Sequence, residues 1–187
     1  MNQRALIQES SRLLETFLIS RAEVLERAVR ACVEALRRGG KLLLFGNGGS
    51  AAEAQHFAAE LVNKFYKKRP PIRAVALTTD TSVLTSIGND VRFEAVFSRQ
   101  IEALADAGDV ALALSTSGGS PNVIRALKAA RKRKLVTIGL TGEGGGKMAG
   151  LCDILLDVPS SRTPRVQEIH LISLHWMAEE IEKRLFS

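Results

Sequence analysis

Five short runs rich in leucine, isoleucine and valine recur along this chain, at Lys41–Phe45, Ile72–Leu77, Val110–Leu114, Leu135–Leu140 and Ile154–Val158. Helix-forming stretches at Ser50–Phe65, Thr81–Ile87, Phe93–Leu104, Asn122–Lys132 and Val166–Phe186 alternate with them. Apolar runs of strand length separated by helices specify a parallel sheet buried on both faces. The chain therefore reads as one α/β domain over 1–187, with a five-stranded parallel sheet flanked by helices. Before the first strand come the stripes Leu6, Leu13, Leu14, Phe17 and then Leu25, Val29, Cys32, Val33, Leu36, closed by Gly39-Gly40. They predict an N-terminal helix pair over 1–39, free to pack on a sister subunit, and leave 40–187 as the α/β core. With 187 residues and 45% hydrophobic content, the chain has enough apolar side chains for such a core.

Two of the runs end alike. Lys41–Phe45 enters Gly46-Asn-Gly-Gly-Ser50, and Val110–Leu114 enters Ser115-Thr-Ser-Gly-Gly-Ser120, each just before a helix. At a helix N-terminus the first N–H groups lack internal partners and the dipole is positive, so an anion is favoured there. Glycine permits close backbone approach, and serine or threonine hydroxyls add donors that can turn toward phosphate or sugar oxygens. In a parallel sheet ligands bind beyond the C-terminal strand ends, where both loops fall. A phosphorylated polyol is the ligand class this predicts.

The net charge of +6 would suit nucleic acid, but the basic residues gather as Arg37-Arg38, Lys67-Lys68-Arg69 and Arg131–Lys134, at predicted helix ends and without interleaved aromatics. They read as solvated cations complementing helix dipoles, and no nucleic-acid partner is expected. The charge still attracts anionic metabolites. No apolar run approaches the ~18 residues of a membrane span and the N-terminus lacks a signal pattern, so a soluble cytoplasmic protein is expected. Cys32 and Cys152, 120 residues apart, form no metal or redox motif.

After the first loop, His56 and Glu60 stand four residues apart on one helical face, a spacing that serves a shared metal ion or an acid/base pair. Glu53 points elsewhere on that helix and reads as solvated or structural. The last helix carries Gln167, His170 and His175. Gln167 and His175 are separated by ~12 Å of helical rise, so they serve one ion only if both side chains reach inward or different subunits supply them. A site shared between chains is the expectation, with Glu60 and His175 drawn from different subunits. His170 is equally well a core residue.

These segments resemble the sugar isomerase (SIS) domain family and, within it, the phosphoheptose isomerases, which convert sedoheptulose 7-phosphate to D-glycero-D-manno-heptose 7-phosphate for heptose precursor synthesis. The resemblance runs from Gly40 to Leu185 and is carried by FGNGGSAAEAQHFAAELV, SIGNDVRFEAVFSRQIEAL, LSTSGGSPNVIRAL, GLTGEGGGKMAGLCD and VQEIHLISLH. It implies a flavodoxin-like sheet, a homotetramer with active sites at subunit interfaces, and one zinc ion per subunit on His56, Glu60, Gln167 and His175. It implies substrate contacts at Asn47, Gly48, Gly49, Ser50, Glu60, Asn89, Asp90, Ser115, Thr116, Ser117, Ser120 and Gln167. Glu60 is the expected base and His175 the expected acid. Two positions depart from the family pattern: Pro164 replaces an aspartate, and Lys64 an arginine, which keeps charge but loses the planar fork. The rival class is a non-catalytic SIS module that senses phosphosugars or serves as a replication-initiation adaptor. Such relatives keep the serine loops but tend to lack the last-helix histidine, and His175 is present here.

Overall fold

The computed structural model describes residues 2–186. All five expected strands form: β1 (Leu42–Gly46), β2 (Ala74–Ala76), β3 (Val110–Ser115), β4 (Val136–Thr141) and β5 (Ile154–Asp157). They pair in parallel in the order β2-β1-β3-β4-β5. The strand period of two divides the core. Leu42 and Leu44 of β1 face one layer with Leu112 and Leu114 of β3, while Leu43, Phe45, Ala111 and Ala113 face the other. Truncating a side chain such as Leu112 to alanine would cost about 2–5 kcal/mol, because the sheet is covered on both sides and cannot collapse onto the void.

Three helices cover the first layer: α1 (Gln3–Arg37), α2 (Gly49–Val62) and α6 (Thr163–Leu185). Helices α3 (Thr81–Asp90), α4 (Val96–Leu104) and α5 (Pro121–Lys132) cover the second, with short 3₁₀ turns at Phe93–Ala95 and Gly146–Met148. The expected N-terminal helix pair is instead one helix of 35 residues. Residues 3–37 contain neither glycine nor proline, so nothing interrupts the backbone hydrogen bonds. The shift in the apolar stripe marks a change of neighbour. Glu9 pairs with Arg162 at the start of α6, Arg21 reaches Asp157 at the end of β5 at 2.9 Å, and Glu26 pairs with Arg184 near the end of α6 at 2.8 Å. Among the described residues no helix is long and apolar enough to cross a membrane.

Because every strand is parallel, α2 and α6 run side by side in one direction. Gln167 lies over Gly49, His170 beside Glu53, His175 beside His56, and Glu182 beside the backbone after α2. This seam positions most of the candidate site.

Candidate active site

The two loops meet as their sequences suggest. Gly46 of β1 is in register with Leu114 of β3, and across the gap Asn47 and Asn122 exchange side-chain amide hydrogen bonds of 2.9 and 2.8 Å. In the first loop Gly48, with φ +54° and ψ −120°, supplies a conformation that side chains disfavour, and Gly49 opens α2. Ser50 is buried within the first turn. In the second loop the hydroxyls of Ser115 and Ser120 lie 3.0 Å apart, Ser117 Oγ accepts from the Gly119 amide, and the Thr116 carbonyl accepts from Gly142. Gly118, at φ +60°, passes so close to Gly145 that a Cβ would stand 2.1 Å from its carbonyl oxygen. Beside this loop opens a cleft of about 710 Å³ walled by Arg92, Arg125, Lys128 and Lys147 against Glu94, which leaves a positive surface next to the loop.

About two turns along α2 from Gly49, His56, Glu60 and His175 converge. The Nε2 atoms of His56 and His175 are 2.8 Å apart, Glu60 Oε1 lies 3.5 Å from His56 Nε2, and all three donor atoms fall within 4.8 Å of one another. Tetrahedral ligands at bond lengths near 2.1 Å sit roughly 3.4 Å apart, so the group needs to open only slightly to hold a zinc ion. Two imidazoles and a carboxylate are also the right donor chemistry. The phenyl ring of Phe65 lies 6.0 Å from the His175 ring and forms an apolar wall. Glu60 and His175 therefore face each other within a single chain, and the expectation that different subunits supply them is overturned. The reason is the parallel seam, which sets position 175 of α6 beside position 56 of α2.

Gln167 is not with the imidazoles. Its side chain covers Gly49, where a Cβ would meet Nε2 at 2.4 Å. Asn89 and Asp90 end α3 in exposed positions, with the Asn89 amide donating to Asp90 at 2.7 Å. Lys64 and Pro164 are both exposed, the first past the end of α2 and the second in the first turn of α6.

Two further sets of residues lie on the seam, the first read in outline from the sequence, with His170 as a core residue and Glu53 as solvated or structural, and the second not foreseen. Glu53 is buried rather than solvated, 3.9 Å from Nδ1 of the more deeply buried His170, whose Nε2 lies 3.1 Å from the Thr141 carbonyl. Burial pushes the Glu53 carboxyl up to about 7, against the opposing pull of Ser50, and pushes the His170 imidazole down to about 4, against Thr141. The second set is Arg69 and Glu182. Arg69, expected as a solvated helix end, has a side chain only 1% exposed that donates to Glu182 at 2.8 Å. Burial works against the charge on Glu182, yet hydrogen bonds from the amides of Phe65, Lys67 and Tyr66 and from Arg69 outweigh it and hold the carboxyl down to about 2. A charge run seen without structure gives no sign of which member turns inward. The i, i+3 placement of Ser50 and Glu53 was the one available hint for the first set.

The SIS domain family matches the chain over residues 6–142. The phosphoheptose isomerase of Nitratidesulfovibrio vulgaris is 52% identical over 95% of this chain and 86% of its own length, and that of Aliarcobacter butzleri is 55% identical over 87% and 86%. The solved phosphoheptose isomerase of Neisseria gonorrhoeae superposes with a TM-score of 0.91, at 46% identity and 96% coverage of both chains. The chain belongs to the phosphoheptose isomerase family of SIS-domain proteins. The order β2-β1-β3-β4-β5 is the flavodoxin-like order expected of the family. In this phosphoheptose isomerase family member the loops lie at the carboxyl ends of β1 and β3, where such sheets bind ligands.

Proposed function

We propose that the protein interconverts sedoheptulose 7-phosphate and D-glycero-D-manno-heptose 7-phosphate. The observation that carries this reading is the convergence of His56, Glu60 and His175 on the same seam that begins at the anion-binding loop. Moving a carbonyl between C2 and C1 requires a base to take the C1 proton and return it at C2, and an acid to exchange protons with the two oxygens. Glu60 is the base and His175 the acid. The carboxylate removes the C1 proton while the imidazolium protonates O2. The resulting enediol then gives up its O1 proton to the imidazole and receives the carbon-bound proton at C2. The Ser115–Ser120 loop, with Asn47 to Ser50, holds the phosphate and orients the chain so that these transfers occur at fixed distances. Asn89 and Asp90 serve the sugar hydroxyls.

His56, Glu60 and His175 would hold one zinc ion per subunit, with Gln167 as the candidate fourth donor. Such an ion, when bound, polarises the carbonyl and diol oxygens and lowers the cost of developing negative charge. Glu60 would then divide its basicity between ion and substrate, and His175 would serve as the acid only while its ring nitrogen is free of the ion. The subunits assemble as a cytoplasmic homotetramer with loops and helix seams near the interfaces, and the product enters heptose precursor synthesis.

Incubation with sedoheptulose 7-phosphate, followed by carbon NMR, tests the reading directly. Aldose formation supports it. Tight binding of the ketose without turnover, in protein loaded with zinc, would move the chain to the non-catalytic SIS class.

A further inference from the structure

The segment that follows α2 is held by a buried clasp. Glu182 lies seven residues, about two turns, beyond His175 on α6. Its Oε2 accepts from the Phe65 amide at 2.9 Å, and its Oε1 accepts from the amides of Tyr66 at 2.8 Å and Lys67 at 2.7 Å. Arg69 closes the clasp. Its Nε donates to Glu182, its Nη1 to the carbonyls of Leu61 at 2.7 Å and Pro70 at 3.0 Å, and its Nη2 to the carbonyl of Glu60 at 2.8 Å.

These bonds are placed where α2 needs them. The last carbonyls of a helix lack internal donors, and α2 has no basic residue in its own last turn. Arg69 supplies the missing cation from outside the helix, and one of the carbonyls it binds belongs to Glu60 itself. The same clasp sets Phe65, whose ring stands against His175. A buried ion pair is weak evidence for stability, because desolvation offsets much of the attraction. What this pair adds is a fixed register of α2 against α6 at the turn that carries Glu60.

We propose that Arg69 is a positioning residue for the His56–Glu60–His175 group, acting through the Glu60 peptide and anchored by Glu182. The proposal rests on the reading of that group as the metal and proton-transfer site. A misplacement near 1 Å costs on the order of a hundredfold in rate, so loosening one turn of α2 reaches the chemistry without touching substrate.

The test compares Arg69→Met, Arg69→Lys and the near-isosteric Glu182→Gln, with Glu60→Gln alongside. Readouts are kcat, KM, melting temperature, and the Co²⁺ dissociation constant from visible absorption of the metal-stripped protein. In Arg69→Met, kcat is expected to fall about tenfold or more and Co²⁺ binding to weaken about tenfold, with KM within about twofold, since the phosphate loops are untouched. Arg69→Lys should recover part of both losses, because lysine donates to the carbonyls but cannot span all of them at once. Wild-type kcat and Co²⁺ affinity in folded Arg69→Met would overturn the proposal, as would losses that merely track the folded fraction. If neither Arg69 variant folds, Glu182→Gln decides by the same two readouts. Full activity and full Co²⁺ affinity in Glu60→Gln would instead overturn the underlying site reading, independently of Arg69.

Discussion

After β1 and after β3 the chain makes the same move, a buried strand into a glycine- and serine-rich turn into a helix N-terminus, yet the helices that follow have little in common. Within its 14 residues α2 carries Glu53, His56 and Glu60, while α5, of 12 residues, has no acid and no histidine and points Arg125 and Lys128 into the basic cleft. On the function proposed above, the first unit adds proton-transfer and metal-ligating groups to its anion site. The second adds only positive potential. One backbone device, used twice, is thus divided by its side chains into a chemical half and a holding half, and the Asn47–Asn122 amide pair keeps the halves at a fixed distance.

The largest test of that division is Glu60→Gln against Ser120→Ala. Removing the base should lower kcat by about 10²–10⁴-fold with KM and melting temperature nearly unchanged. Removing a holding hydroxyl should raise KM by about tenfold with a smaller change in kcat. The comparison would break if Ser120→Ala lost kcat as severely as Glu60→Gln. Because Glu60 and His175 share a chain, mixing Glu60→Gln with His175→Ala subunits should restore no activity above the two parents.

A smaller difference separates the loop glycines. Gly118 has its left-handed φ and also abuts the Gly145 carbonyl, whereas Gly48 has positive φ but nothing within 4 Å of a Cβ. Gly118→Ala should therefore cost about 2–3 kcal/mol, a melting shift of several degrees, and Gly48→Ala about 1 kcal/mol. Urea unfolding of the two variants measures this, and equal losses would mean that the second loop relaxes away from Gly145.

The strands and both loops were legible in the sequence because each is a local signal: β-branched and leucine runs of strand length, and glycine with serine before a helix-forming stretch. The pairing of His56 with Glu60 was equally local. The single α1 was misread because a phase shift in an apolar stripe looks like a helix break, when here it records a change of packing partner. The inward turn of Arg69, the burial of Glu53 and the same-chain meeting of Glu60 with His175 were not legible. Each depends on which helix lies beside α2 and in which direction it runs, a property of the sheet order rather than of any segment.

The least expected effect, and the most particular to the first unit, concerns pH. Behind its loop lie two buried titratable groups, Glu53 and His170, with Glu53 Oε2 and His170 Nδ1 lacking hydrogen-bond partners among the described residues. Burial raises the Glu53 carboxyl from 4.5 to about 7. Between those values the folded chain keeps a proton that the unfolded chain has shed, so the stability contributed by Glu53 is complete below its unfolded value and is lost as pH climbs to 7. His170, lowered from 6.5 to about 4, works oppositely. Across that window the folded chain has shed a proton the unfolded chain still holds, and stability rises with pH. In the wild type the two slopes oppose each other from about pH 4.5 to 6.5, which flattens the profile. Glu53→Gln mimics the protonated carboxyl and removes only the falling slope. Its stability should match the wild type near pH 4.5 and exceed it by about 3 kcal/mol at and above pH 7, as read from urea midpoints across that range. Parallel profiles for the two proteins would show that Glu53 takes up no proton on folding, and the first unit would then hold its carboxylate charged behind the loop.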